Sequence, residues 1–167
     1  MKILVTGGCG YIGTTLIPKL LGAGHKVLSI DNQLFGNFLP KHKNLKNIKM
    51  NIGNIKATNI KNVDTVIHLA SISNDPSALI SSKITWETNV LYTLKLLNLC
   101  KEKRIKKFIF ASSGSVYGVS KKRKVDENSN LVPISDYNKT KMIGEKLVQS
   151  YKKFFDTIIL RPGTVCG

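Results

Sequence analysis

The sequence predicts an α/β fold, a doubly wound parallel sheet with helices on both faces. Three observations carry that prediction. Short apolar runs of strand length alternate with segments whose apolar residues recur at helical spacing. The first run, Ile3 to Thr6, enters Gly7-Gly8-Cys9-Gly10-Tyr11-Ile12-Gly13, and an apolar helical pattern follows at once (Tyr11, Ile12, Leu16, Leu20, Leu21). Val63 to Ala70 is a compact apolar run bounded by turn residues, as suits a strand covered on both faces.

In chain order, the first helix should end near Gly22 to Gly24. Pro18 falls inside it, costs it a hydrogen bond and predicts a kink. Lys26 to Ile30 is the second strand and closes on Asp31, and the polar stretch Asn32 to Asn47 reads as loop. Ile48 to Met50 is a short third strand and Val63 to Ala70 the fourth. Trp86 to Cys100 places Val90, Leu94 and Leu97 at helical spacing, Lys106 to Ala111 is the next strand, Ser135 to Phe154 a second long helix and Thr157 to Leu160 the last strand.

The glycine loop is the first chemical signal. A turn of this kind brings bare backbone against a pyrophosphate and aims a helix N-terminus at its charge. Gly7 permits the tight turn, Gly10 removes a side chain that would hold the phosphates off, and Gly13 lets the helix pack closely. Strand before and helix after supply the context that the motif needs. Ligands in such sheets lie beyond the carboxyl ends of the strands, where Gly7, Asp31, Ala70, Ser112 and Ser113 all fall. A carboxylate at Asp31 can accept both ribose hydroxyls and would repel the extra phosphate of NADP, and no arginine follows it, so NAD is the expected cofactor. Lys41 and Lys43 lie in the next loop, within possible reach.

Composition narrows the rest. The 167 residues suit one domain. A net charge of +16 raises the question of nucleic acid, but only three of the basic residues are arginines (Arg104, Arg123, Arg161), and Lys, Asn and Ile recur throughout. The clusters Lys101 to Lys107 and Lys121 to Lys124 fall at a helix end and in a loop, where solvated charge costs little. We therefore expect neither a nucleic-acid nor a membrane partner. With no leader and no bilayer-length apolar run, a cytoplasmic protein is expected. Cys9, Cys100 and Cys166 have no paired spacing, so neither disulfide nor zinc site is suggested, and no metal site is expected. His25, His42 and His68 receive no role.

Tyr137 and Lys141 stand four apart in the second long helix and share a face. A phenol of pKa ~10 needs on the order of 4 kcal/mol to fall about three units, which a neighbouring ammonium and a cationic nicotinamide could together supply. The same spacing is common on exposed helices. Ser112-Ser113-Gly114-Ser115 ends the preceding strand in a hydroxyl-rich turn, suited either to binding a substrate oxygen or to ordinary loop chemistry.

Taken together, TGGCGYIG, Asp31, VIHLAS, the helix of Asn89, SSGSVYG, YNKTK and LRPGTVCG occur in the order found in the extended short-chain dehydrogenase/reductases. The chain resembles that family, which includes UDP-galactose 4-epimerase and other nucleotide-sugar epimerases, dehydratases and reductases. The resemblance implies a Rossmann fold over residues 1–167, with Ser113, Tyr137 and Lys141 catalytic. Tyr137 would be the general acid/base, Lys141 its partner on the nicotinamide ribose, and Tyr117 a structural or substrate-lining residue. It also implies where NAD is held: by Gly7, Gly10, Tyr11, Ile12 and Gly13; by Asp31 and Asn32; by Asn54 and Ile55; by Leu69, Ala70 and Ser71; and by Ser112, Tyr137, Lys141 and Pro162. Asn89 is counted with these cofactor-binding residues as a polar support of the site, or else faces solvent.

Two departures from the family pattern bear on chemistry. The usual Gly-Asp after the third strand reads Gly53-Asn54, and the Asp-Glu pair that serves elimination in 4,6-dehydratases reads Gly114-Ser115. The implied reaction is therefore epimerisation, or simple oxidation and reduction, of a nucleotide sugar. Tyr137 would take the proton of a sugar hydroxyl that Ser113 also binds. Family members continue for well over a hundred residues past the Arg-Pro-Gly element, so a substrate domain is expected to be missing and apolar surface to be left bare. A homodimer, a non-enzymatic NAD-binding module and an inactive fragment all stay open on these residues.

Overall fold

The computed structural model describes residues 1–119 and 124–166. The cluster Lys121 to Lys124 therefore lies outside the described residues except for Lys124, as does the terminal Gly167.

Six parallel strands form one sheet in the order β3-β2-β1-β4-β5-β6. They are β1 (Lys2–Thr6), β2 (Lys26–Asp31), β3 (Leu45–Lys49), β4 (Thr65–His68), β5 (Lys107–Ala111) and β6 (Asp156–Leu160). The helices are α1 (Tyr11–Gly22), α2 (Asp75–Ile80), α3 (Ser82–Trp86), α4 (Tyr92–Glu102) and α5 (Asp136–Ser150). The chain winds outward from β1 in one direction to β3, then restarts from β1 to β4, β5 and β6. That reversal opens a crevice between the ends of β1 and β4, where Thr6 and His68 are registered partners.

Alternation along the strands sorts the core into two layers. Leu4, Leu28, Val66, Phe108 and Phe110 face α4 and α5, and close with Leu96, Leu97, Cys100, Val148 and Phe155. Ile3, Val5, Val27 and Ile67 face the other way, onto Ile17 and Leu21 of α1. Gly144 lets α5 lie directly on β5, since a Cβ there would stand 2.6 Å from the Phe110 ring. Helices thus cover both faces, but unequally. Beyond α1 the second face ends bare, with Ile158 39% and Leu160 52% exposed on the edge strand.

Several boundaries differ from the sequence reading. β3 runs Leu45–Lys49, so the expected loop up to Asn47 is partly strand and Met50 lies beyond it. Pairing with β2, from Val27↔Leu45 to Asp31↔Lys49, recruits these polar residues, which have little strand signal of their own. The first helix is continuous through Pro18 from Tyr11 to Gly22. The second long helix stops at Ser150 rather than Phe154. Most telling is the segment before α4. The expected plain helix from Trp86 is preceded by α2 and α3 and is interrupted by a π-helical turn, Glu87–Leu91, around Asn89.

Candidate functional site

An open cleft of about 2240 Å³ runs across the carboxyl ends of the strands, from the glycine loop to the start of α5. At its first end, Gly7 has φ +73°, and a Cβ there would lie 2.6 Å from the backbone nitrogen of Ala70, just past the end of β4. Gly13 is equally constrained, with a Cβ falling 2.4 Å from the Gly8 carbonyl oxygen, so it packs α1 onto the loop itself. A Cβ on Gly10 would meet only the Gly7 carbonyl, at 3.3 Å, because that position opens on the cleft. Gly8, which the sequence reading passed over, is needed for packing: its Cβ would collide with Ser29 and Ile17. α1 starts with no side-chain cap at Gly10 and no acidic residue in its first turn, which leaves its positive end turned to the cleft.

Asp31 is oriented before any ligand arrives. One carboxylate oxygen accepts from Cys9 N–H at 3.0 Å and the other from Gln33 N–H at 2.6 Å. Each oxygen keeps a second acceptor position. Asn32 lines the cleft beside it, and its side-chain oxygen accepts from Leu34 N–H at 3.0 Å. Lys41 and Lys43 do not line the cleft; the rim beyond Asp31 is formed by the exposed Leu34, Phe35 and Phe38.

The structure places Asn54 and Ile55 outside the cleft. Ile55 is fully buried in the core and Asn54 faces solvent, and neither lines the cleft. Met50, Asn51 and Ile52 occupy the place after β3 instead. Met50 N–H donates to the Asp31 carbonyl at 2.8 Å, carrying the edge pairing one residue past the strand and fixing which residue turns into the cleft. Gly53 is spent on packing, since a Cβ there would lie 2.5 Å from the Tyr92 ring. Asn51 lines the cleft there, and its side-chain oxygen caps the turn through Gly53 N–H at 2.8 Å.

Leu69, Ala70 and Ser71 line the middle of the cleft. Beneath them is a hydrogen-bond chain that the sequence reading missed when it left His68 without a role. Thr93 Oγ1 donates to the Asn89 carbonyl at 2.8 Å, so it accepts from His68 Nε2 at 2.9 Å. The ring is then an Nε2–H tautomer whose Nδ1 accepts from Thr6 Oγ1 at 2.6 Å, and Thr6 in turn accepts from Ala70 N–H at 3.4 Å. Burial holds His68 far below its ordinary value, at about 3, with the nearby Lys141 charge adding to the effect. His68 is a neutral strut.

The structure places Asn89 behind the cleft wall. It is 2% exposed and does not line the cleft. Its amide accepts from Ile72 N–H at 2.8 Å and donates to Ile72 O at 3.0 Å and to Thr140 Oγ1 at 3.0 Å. Thr140 passes its own proton to the Tyr137 carbonyl at 2.7 Å. Asn89 thus ties the wall after β4 to the first turns of α5 from behind, and the π turn is what aims it there.

Ser113, Tyr137 and Lys141 converge at the far end. Ser113 caps the 3₁₀ turn Gly114–Tyr117 and shares a 2.8 Å hydrogen bond with Ser115. Lys141 Nζ donates to the Ala111 carbonyl at 2.8 Å and lies 5.9 Å from the Tyr137 ring centre. The electrostatics differ from expectation. Burial raises the Tyr137 phenol, a hydrogen bond with Ser113 lowers it in part, and the Asp75 charge raises it again. Burial also brings Lys141 down to about 8. As pH rises the lysine therefore loses its proton before the phenol does, so no ammonium stands beside the phenol when it ionises.

Ser112 lines the cleft, but its hydroxyl turns inward and donates to Glu145 Oε1. Glu145, 1% exposed, also takes Arg161 bidentately, from Nε at 2.9 Å and Nη2 at 2.7 Å. Arg161 Nη1 reaches Tyr117 Oη at 2.9 Å and the Glu127 carbonyl at 3.2 Å. Tyr117 is thereby held by Arg161, and it also lines the cleft. The Glu145–Arg161 pair was not foreseen, although Glu145 stands four residues after Lys141 on the same helical face. Pro162, one residue on, lines the cleft. Among the described residues, no group of acidic, histidine or cysteine side chains is arranged to hold a metal, and no helix is long and apolar enough to cross a membrane.

Known proteins resemble this arrangement. The model of the NAD dependent epimerase/dehydratase family matches residues 3–167. An uncharacterised UDP-glucose epimerase of Bacillus subtilis is 40% identical over all of this chain and 57% of its own length. Among solved structures, the UDP-glucuronic acid 4-epimerase of Bacillus cereus in complex with NAD superposes with a TM-score of 0.90 at 34% identity, over 100% of this chain and 58% of its own. The UDP-N-acetylglucosamine 4-epimerase of Methanobrevibacter ruminantium gives a TM-score of 0.90 at 32% identity, over 96% of this chain and 54% of its own. The chain spans a little over half the length of these relatives.

Proposed function

Because this chain belongs to the NAD dependent epimerase/dehydratase family, we propose that residues 1–167 form the NAD-binding and proton-transferring part of a nucleotide-sugar epimerase. The observation that carries the proposal is one cleft shared by the glycine loop, Asp31 and the trio Ser113, Tyr137 and Lys141. The cleft suits a dinucleotide. Gly10 leaves room where a Cβ would intrude, α1 presents an uncapped positive end, and Asp31 stands ready for vicinal hydroxyls. Asp31 also repels a 2′-phosphate, which favours NAD over NADP.

Bound NAD supplies a reversible hydride acceptor. The protein's share is proton transfer and orientation. Tyr137 Oη takes the proton of the sugar hydroxyl being oxidised and returns it after the sugar has turned over. Ser113 holds the same oxygen by a hydrogen bond. Lys141, anchored on the Ala111 carbonyl, supplies positive charge to the phenol when it is protonated. Nothing in the turn after Ser113 provides the acid pair of a 4,6-dehydratase, because Gly114 and Ser115 stand there. UDP-hexoses are the substrates to try first, on the strength of the named relatives.

The test is conversion of UDP-glucose by the gene's longest product with catalytic NAD, followed by sugar analysis. Tyr137→Phe should lower turnover by about 10²-fold or more with NAD affinity retained. Undiminished turnover in that variant would remove Tyr137 from its role. NAD binding with no conversion of any nucleotide sugar would favour a binding module.

A further inference from the structure

Asp75 lines the cleft near Tyr137 and has no part in the chemistry described so far. It opens α2 after the cap residue Asn74, and its carboxylate accepts the hydroxyl proton of Ser135. Ser135 is the cap of α5, accepting from Asn138 N–H at 3.1 Å, and Tyr137 is the second residue of that helix. A reciprocal clasp stands beside it, Ser82 Oγ donating to Asp136 at 2.6 Å. Two serine–aspartate pairs therefore pin the α2–α3 segment to the first turn of the helix that bears the phenol.

We propose that Asp75 is a positioning residue for Tyr137, seating the first turn of its helix through Ser135 and holding a negative charge against the phenol. The other groups around the phenol do not supply that charge. On α5, Lys141 is cationic or neutral, Asp136 is anionic but directs its carboxylate to Ser82 on α3 while the charge acting on the phenol is that of Asp75, and Glu145 is neutralised by Arg161 and turned to Ser112. From the turn after β5 come the hydroxyls of Ser113 and Ser115, and from β4 the neutral ring of His68. Asp75 thus adds to burial in keeping the phenol protonated and delays its ionisation until a cationic group enters. This inference rests on Tyr137 being the proton-transfer group, yet its effect on the phenol can be measured without substrate.

The experiment labels the phenolic carbon of tyrosine with ¹³C and follows Tyr137 by NMR titration in this chain, with Tyr137→Phe identifying the signal. Asp75→Asn keeps an acceptor for Ser135 and removes the charge. It should lower the Tyr137 midpoint by roughly half a unit to one unit. Asp75→Glu should restore the wild-type value. The gap between wild type and Asp75→Asn should shrink in 1 M salt, where the screening length is about 3 Å, because Asp75 is solvent-exposed. Ser135→Ala, which keeps the charge, separates seating from field and should move the midpoint less than Asp75→Asn. An unchanged midpoint in Asp75→Asn, or equal shifts in both variants at every salt concentration, overturns the proposal. Loss of sugar conversion in the assay above would sink the epimerase reading and leave the titration result standing.

Discussion

The side-chain amide of Asn89 pairs with both backbone groups of Ile72, accepting from its nitrogen at 2.8 Å and donating to its carbonyl at 3.0 Å. One residue in a π turn thereby copies the edge of a neighbouring strand and holds the wall after β4 against α5. Asn89→Ala leaves these groups and Thr140 unsatisfied in a buried place. We expect a loss of about 2 to 4 kcal/mol in urea unfolding, with weakened NAD binding by calorimetry. Asn89→Asp should be nearly as damaging, since it removes the donor.

Glu145 and Arg161 predict a second, separable effect. Glu145→Gln keeps shape but leaves the guanidinium of Arg161, 15% exposed at its side chain, without its counter-charge. A loss of about 3 to 5 kcal/mol is expected, and the double variant with Arg161→Met should lose less than the sum of the two single changes. A double-mutant cycle in denaturant measures the coupling.

Lys141 makes stability depend on pH in a stated direction. Its folded value of about 8 lies below the ordinary 10.5, so between those values the unfolded chain binds the additional proton. Its burial cost is full below about pH 8, and stability is recovered as pH rises toward 10.5. Lys141→Met should raise stability at pH 7 by on the order of 3 kcal/mol and remove that slope. The difference between the two unfolding profiles isolates this residue from the other lysines.

His68 acts on the acid side. With a folded value of about 3 against 6.5, the unfolded chain binds more protons between them, so stability falls as pH drops through that interval. Nitrogen NMR of the ring should show the neutral Nε2–H tautomer down to the pH at which the protein unfolds. A ring that charges near pH 6 in the folded protein contradicts the Thr6–His68–Thr93 chain.

The cofactor end offers a direct comparison. NAD should bind about tenfold or more tightly than NADP, and Asp31→Ser should narrow the ratio by restoring some NADP binding. Gly13→Ala should weaken both cofactors, because its Cβ would press on the Gly8 carbonyl and push α1 off the loop.

The fold and much of the cleft were legible in the sequence because their signals are local. Strand-length apolar runs, a glycine turn between strand and helix, a carboxylate closing β2 and Tyr and Lys one helical turn apart each depend on neighbours within a few residues. The misplaced features depend on partners far along the chain. Asn51 and Ile52, rather than Asn54 and Ile55, line the cleft because β3 is a polar edge strand whose register comes from β2. Asn89 looked like a cofactor residue or a surface residue because a π turn leaves no reliable periodic signature.

What the sequence by itself determined is the doubly wound order of elements, the loop that can receive a pyrophosphate and the residue types at each strand end. Those follow from sterics and hydrophobic periodicity, which act at short range. Tertiary structure alone decided which polar groups meet: Glu145 with Arg161, His68 between two threonines, Asn89 on Ile72 and Asp75 on the cap of α5. The physical reason is that a buried polar group must find a partner wherever the packed backbone places one, and desolvation then sets its charge. The same burial that puts Lys141 beside Tyr137 weakens the charge that their spacing in sequence promised.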